Sequence, residues 1–222
     1  MFTLIIAESS LELVPSRIAG HPSVTMHARR LGKRSTEILL DNSWHFAAMK
    51  GIDNEIKRGR PDIVHLCLLE AVSIPLYQND MLQVFIHTVD DKVIKIGKNV
   101  SIPKSYHRFE GLIEKLYHDK IITHKDDILL EIKKMTFSEL ISEIDPLEVI
   151  GLSTNGKSKS YSEIATEFDD DTCLVVGGFQ KGHFSDEILS KIDHLYSINQ
   201  TFLEAHVVIS RMLYEYEKTI FM

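Results

Sequence analysis

An α/β fold built around a parallel sheet is what this sequence predicts. The expectation comes from short apolar runs that each break into a small-residue loop, and from helical periodicities around them. The runs are Val149-Ile150-Gly151, Thr172 to Val176 and Leu195-Tyr196-Ser197-Ile198. They lead into Leu152 to Gly156, Gly177 to Gly182 and Asn199-Gln200-Thr201. Repeated strand-to-loop junctions imply parallel strands whose ends converge on one crevice, where α/β proteins bind their ligands.

Taken in order, Phe2 to Ala7 is short and apolar enough for a buried strand, and Pro15, Gly20 and Pro22 punctuate the loop that follows. Thr36 to Leu40 reads as a second strand. Arg60-Pro61-Asp62 starts a helix with Asp62 as a possible cap, and Ile63, Leu66, Leu69 and Val72 recur at helical spacing until Ser73 and Pro75. Leu82 to His87 and Val93 to Ile96, joined through Asp90-Asp91, alternate as a β-hairpin. After Pro103, the spacing of Phe109, Leu112, Ile113, Leu116 and Tyr117 describes an amphipathic helix with Lys104 and Arg108 at its leading edge. Basic groups at a helix start oppose its positive dipole end unless an anion sits there. A last helix takes Thr201 as N-cap and carries Leu203, Val207, Ser210 and Tyr214 on one stripe.

Composition limits the functional classes. With 222 residues, 44% hydrophobic and 26% charged, the chain has the profile of an ordinary globular protein, long enough for a sizeable core. No apolar run approaches the ~20 residues of a membrane span, and Glu8 interrupts the N-terminal run before a signal peptide can form. A cytoplasmic protein without membrane association is therefore expected. Cys67 and Cys173 sit in apolar stretches without paired spacing, so they read as buried reduced thiols. The 11 histidines form no HExxH or HxH pattern, and no metal site is expected. The net charge of −7 conceals a local excess: Lys92, Lys95, Lys98, Lys104 and Arg108 fall in one stretch without an acid. Asp169-Asp170-Asp171 and the stretch from Asp126 to Glu148 carry much of the negative charge. One basic face on an acidic body suits local binding of a polyanion.

Gly151 to Ser158, GLSTNGKS, matches the phosphate-binding pattern G-x-x-x-x-G-K-[ST] and offers a nucleotide hydrolase as an alternative. Against it, no strongly apolar-periodic helix follows Ser158, and the next strand ends in Gly177-Gly178 without an acid to hold Mg²⁺.

Four segments together carry a family resemblance. They are Arg60-Pro61-Asp62-Ile63-x-His65-x-x-Leu68-Leu69, Leu82 to Thr88, Ile102-Pro103-Lys104-x-Tyr106-x-Arg108-Phe109-x-Gly111-Leu112, and Val175-Val176-Gly177-Gly178-Phe179-x-x-Gly182. In this order they closely resemble the Emg/Nep family of ribosome-biogenesis proteins, SPOUT-class pseudouridine methyltransferases, across nearly the whole chain. The resemblance implies a SPOUT-type knotted parallel sheet, with a trefoil knot in the C-terminal half, helices on both faces and an inserted β-hairpin. It implies one domain over residues 1–222, with the knot and cofactor region at 146–222. Nothing in periodicity points to a knot.

The resemblance further implies S-adenosyl-L-methionine as cofactor, held by Gly156, Gly177 and Gly182 and by the segment Ile198, Asn199, Gln200, Thr201, Phe202 and Leu203. It implies small-subunit ribosomal RNA as partner, contacted by Arg60, Lys104 and Arg108. Asp62 would orient the Arg60 guanidinium, and Ser101 stands where the family pattern suggests another basic residue. The implied reaction is methylation of the N1 ring nitrogen of a pseudouridine; no residue stands out as catalytic base. SPOUT enzymes are usually homodimers, a contact that Leu203, Val207 and Tyr214 would suit. The other alternative is a non-catalytic assembly factor that binds the same RNA.

Overall fold

The computed structural model describes residues 1–222. Its centre is an eight-stranded sheet in the order β4-β5-β3-β2-β1-β7-β6-β8. The strands are β1 (Phe2–Ser9), β2 (Leu82–Thr88), β3 (Lys92–Ile96), β4 (Ile121–His124), β5 (Asp127–Lys134), β6 (Glu148–Ser158), β7 (Thr172–Gly177) and β8 (His194–Ser197). The helices are α1 (Pro22–Leu31), α2 (Asn42–Met49), α3 (Pro61–Ala71), α4 (Pro75–Gln78), α5 (Tyr106–Asp119), α6 (Phe137–Ile144), α7 (Tyr161–Ala165), α8 (Asp186–Leu189) and α9 (Ala205–Phe221).

β1 is buried along its whole length because it is covered on both faces, which is why its run is continuously apolar rather than alternating. Leu4 and Ile6 point into the larger core with α3, α5 and α9, while Ile5 and Ala7 point into a second cluster with Phe137, Leu140 and Ile188 from α6 and α8. Helices therefore cover both faces. β1 pairs in parallel with β2 and β7, and β6 pairs in parallel with β7 and β8. The predicted hairpin is β2–β3, and it continues antiparallel through β5 to β4. That extension escapes sequence reading because only Leu130 and Ile132 are buried in a strand otherwise rich in charge.

Two expectations fail in register. Thr36 to Leu40 is not a strand: Ser35–Glu37 forms a 3₁₀ turn, held by the Arg34–Glu37 ion pair, and only Leu39 bridges to Leu13. Thr201 is not the cap of the last helix, which starts at Ala205 with Glu204 as N-cap and leaves residues 198–204 irregular. The buried stripe of α9 is Val208, Ile209, Met212, Leu213 and Tyr216. Its packing against α3 and α7 turns the predicted stripe outward, so that Val207 and Ser210 are half-buried and Tyr214 is exposed. No helix is long and apolar enough to cross a membrane.

Residues 14–52 form a satellite cluster of Val14, Val24, Ala28, Ile38, Leu40, Ala48, Met49 and Ile52. Beside it, the Asp41 N–H donates to His45 Nδ1 (3.1 Å), so His45 Nε2 carries the ring proton and donates to His27 Nδ1 (3.0 Å). Burial, followed by the neighbouring His27, pushes His45 down to about 4 from an ordinary 6.5. An imidazole lowered on folding contributes its full stability above the unfolded value and loses it as the pH falls towards the folded one. His45 is expected to contribute about 2–3 kcal/mol of stability lost between pH 7 and 4 in denaturant unfolding, and a His45→Gln variant is expected to lose that component of the slope. Identical pH slopes in wild type and His45→Gln would refute the neutral pair.

Candidate functional site

The carboxyl ends of β6, β7 and β8 face one cavity, as expected of parallel strands. From β6 come Leu152, Ser153 and Thr154. From the loop after β7 come Gly177 and the turn from Phe179 to Phe184, which includes Gly182; after β8 come Ile198, Asn199, Thr201, Phe202 and Leu203. The first turn of α3 closes the mouth with Arg60 and Ile63. Seven of the nine predicted cofactor residues thus meet at one place. Gly182 adopts a φ of +109°, which a side chain would strain, so glycine is required for the turn that walls the cavity.

Gly156 and Gln200 do not line this cavity. Leu152 and Lys157 both pair with Tyr196 of β8, so residues 153–156 are looped out between them. Ser153 and Thr154 face the cavity, whereas Gly156 returns against β8. A Cβ there would lie 2.5 Å from the Tyr196 carbonyl carbon, so Gly156 is fixed by chain packing. Gln200 is exposed at the crest of the last loop. The same geometry removes the phosphate-binding loop: Gly151 to Ser158 belongs to β6, Lys157 and Ser158 pair with β8, and only the five-residue α7 follows. The pattern does not run from a strand end into a helix start, the arrangement that would direct amides at a phosphate.

A buried ion pair supports the glycine turn from below. Glu8, at the end of β1 with a φ of +47°, accepts from Lys57 Nζ at 2.8 Å and from the Ser185 N–H at 3.3 Å. Lys57 Nζ also lies 4.8 Å from the centre of the Phe179 ring, and the Lys57 carbonyl accepts from the Ser10 hydroxyl. Gly178 is tied to β1 through its N–H to the Ala7 carbonyl (2.8 Å) and its carbonyl to the Ser10 N–H (2.9 Å). Glu8 and Lys57 escape sequence reading because Glu8 reads as the polar end of an apolar run and Lys57 as one of several neighbouring charges, and only tertiary pairing distinguishes them.

Arg60 forks onto Asp62, with Nε to Oδ1 at 2.8 Å and Nη2 to Oδ2 at 2.7 Å. Those two charge-assisted bonds hold the guanidinium above its already high ordinary pKa. Asp62 does not cap α3: Arg60 occupies the N-cap, Pro61 the first position, and no side-chain cap bond forms. Lys104 and Arg108 are exposed on the neighbouring segment. His65 Nε2 bonds the Pro103 carbonyl (2.7 Å), and the Tyr106 hydroxyl donates to Asp41 (2.8 Å), fixing this segment beside α3. Ser101 and Lys104 border a separate shallow groove with Leu69 and Val72. The rest of the basic run is less free than its composition suggests. Lys92 pairs with Asp90, Lys98 with Asp80 (3.1 Å), and Lys95 lies over Phe85. The neutralising acids lie just outside the run in sequence.

Main-chain groups and small polar side chains on one wall, with apolar surface from Ile63, Ile198, Leu203 and Val208 on another, suit a ligand joining a flat heterocycle to a polar tail. The neighbouring cations add affinity for a polyanion.

The chain matches a family model described as EMG1/NEP1 methyltransferase over residues 4–217. It is similar to the ribosomal RNA small subunit methyltransferase Nep1 of Staphylothermus marinus, 39% identical over 213 residues, covering 95% of this chain and 93% of that one. With the same-named protein of Thermococcus sibiricus it shares 39% identity over 223 residues and 99% of each chain. Among solved structures it superposes on Archaeoglobus fulgidus Nep1 bound to S-adenosylhomocysteine with a TM-score of 0.86 at 36% identity, covering 98% of this chain and 96% of that one.

Removing one partner of a buried ion pair leaves the other charge uncompensated. Lys57→Met is expected to cost about 3–5 kcal/mol of unfolding free energy. It is also expected to increase proteolytic cleavage between residues 177 and 185. A loss below about 1 kcal/mol, typical of exposed pairs, would remove the pair from its supporting role.

Proposed function

The chain belongs to the EMG1/NEP1 methyltransferase family, and on that premise we propose that it methylates the N1 ring nitrogen of a pseudouridine in small-subunit ribosomal RNA during ribosome biogenesis. One observation carries the reading: three strand-end loops enclose a cavity whose mouth is formed by Arg60, beside the exposed cations Lys104 and Arg108. Bound S-adenosyl-L-methionine supplies a methyl group activated on a sulfonium sulfur. Ile198, Leu203 and Val208 offer apolar surface to its adenosine, and Ser153, Thr154 and Asn199 offer hydrogen bonds.

The N1 nitrogen of pseudouridine is free because the sugar is joined through carbon, but it bears a proton and is a poor nucleophile until that proton leaves. Arg60, aimed by its fork on Asp62, stabilises the negative charge that then develops on the ring. Its location at the cavity mouth supports a contact with an everted base. Holding donor and acceptor in line contributes up to ~7–11 kcal/mol in favourable cases. The trefoil knot, organisation as one domain, cytoplasmic residence and a homodimer are part of the same reading. The partly exposed Val207 and exposed Tyr214 support the dimer by leaving an outward stripe on α9.

Isothermal titration with S-adenosyl-L-methionine, followed by methyl transfer to matched hairpins carrying pseudouridine or uridine, tests the proposal. Transfer only to the pseudouridine hairpin is expected; RNA binding without transfer would favour a non-catalytic assembly factor. Arg60→Ala is expected to weaken hairpin binding about 10- to 100-fold, the range for one hydrogen bond to a charged group, with cofactor affinity nearly unchanged. Equal RNA binding by variant and wild type would take Arg60 out of the interface.

A further inference from the structure

A second cleft, of about 320 Å³, lies between α1, α2 and α5, away from the cofactor cavity. One side holds an aromatic stack: Trp44 lies against His27 with ring centres 4.5 Å apart and planes 15° apart, and the Arg30 guanidinium stands 5.3 Å from the indole centre. The buried His27–His45 bond fixes the stack from behind. Trp44 nevertheless remains 47% exposed, unusual for so large an aromatic ring without a partner. The other side is the α5 face of His107, Glu110 and Gly111. Within the cleft Glu114 is already engaged, by Lys33 and by the Leu39 N–H (3.1 Å). Glu110 is ion-paired only with His107, at 3.6 Å; burial and then the nearby Asp41 and Glu114 carboxylates raise its pKa, and it is the cleft's least engaged acceptor. Gly111 costs α5 helix propensity and has nothing within 4 Å of the place its Cβ would take, so its missing side chain widens the cleft.

A half-exposed indole carrying a guanidinium, and a carboxylate at the edge, are groups that bind an unpaired nucleobase: stacking on the indole and guanidinium planes, attraction to the cation, and exocyclic amino groups donating to the acid. The cleft adjoins the RNA face. Asp41 caps α2, which carries Trp44, and also accepts from Tyr106, in the same turn of α5 as His107 and Arg108. We propose that the Trp44 cleft is a second nucleobase site, taking an unpaired amino-bearing base of the RNA substrate while another base occupies the cofactor cavity. The proposal rests on the RNA-substrate reading above.

Trp44 is the sole tryptophan, so its emission reports the cleft directly. The pseudouridine hairpin and the tetranucleotide rA4 are each expected to quench it saturably, with rU4 requiring about tenfold higher concentration because uracil lacks an amino group. Gly111→Leu, whose Cβ meets nothing within 4 Å and whose branched end extends into the cleft, is expected to abolish quenching by rA4 and raise the hairpin Kd about tenfold, with cofactor affinity and thermal stability retained. Unchanged emission with saturating hairpin and rA4 overturns the proposal and leaves the aromatic patch to a protein partner. Equal rA4 quenching in wild type and Gly111→Leu also overturns it, and equal affinity for rA4 and rU4 overturns the amino-base preference. Failure of wild-type methyl transfer strikes the functional reading instead, and the rA4 titration decides the cleft independently.

Discussion

Parallel pairing of β1 with β7, and of β7 with β6 and β6 with β8, is the constraint on which the rest of the molecule depends. Strands that run the same way must end at the same edge, so loops far apart in sequence are delivered to one crevice by the sheet's hydrogen bonds. The crevice then needs only local chemistry: a turn that tolerates positive φ, a looped-out segment of β6 and an irregular lead into α9. The Glu8–Lys57 pair adds rigidity where the central strand runs out. A buried charge pair is weak evidence for stability by itself, but here its second acceptor bond, from the Ser185 N–H, ties the segment after the glycine turn to the end of β1.

How much of this could be read beforehand follows from how local each signal is. β1, β2, β3, β7 and the helix after Pro103 announce themselves through runs and periods within a few residues, and the structure places them where expected. α1, α2 and α6 were missed because caps such as Thr136 with Glu139 are short signals in polar surroundings. Thr36 to Leu40 misled because an apolar triplet can bury itself through one bridge and a turn without joining a sheet. The stripe of α9 was misphased because a helix with apolar residues on several faces leaves its inward side to tertiary packing.

The site divides similarly. Gly177, Gly182 and the segment after β8 were readable as loops after strands, and Arg60 with Asp62 as a motif. Gly156 lies outside the cavity, against the backbone of β8, and a glycine that accommodates a neighbouring backbone and one that approaches a ligand look identical in sequence. Lys92 and Lys98 overstated the basic face because folding brings Asp90 and Asp80 against them.

The irregular stretch 198–204 walls the cavity and runs directly into α9, which packs along α3, the helix that begins beside Arg60. One continuous piece of chain therefore joins the two places proposed for the cofactor and the RNA. Any order that the first to arrive imposes on this stretch is order the second need not create, and reciprocity requires the favour to be identical in either sequence of arrival.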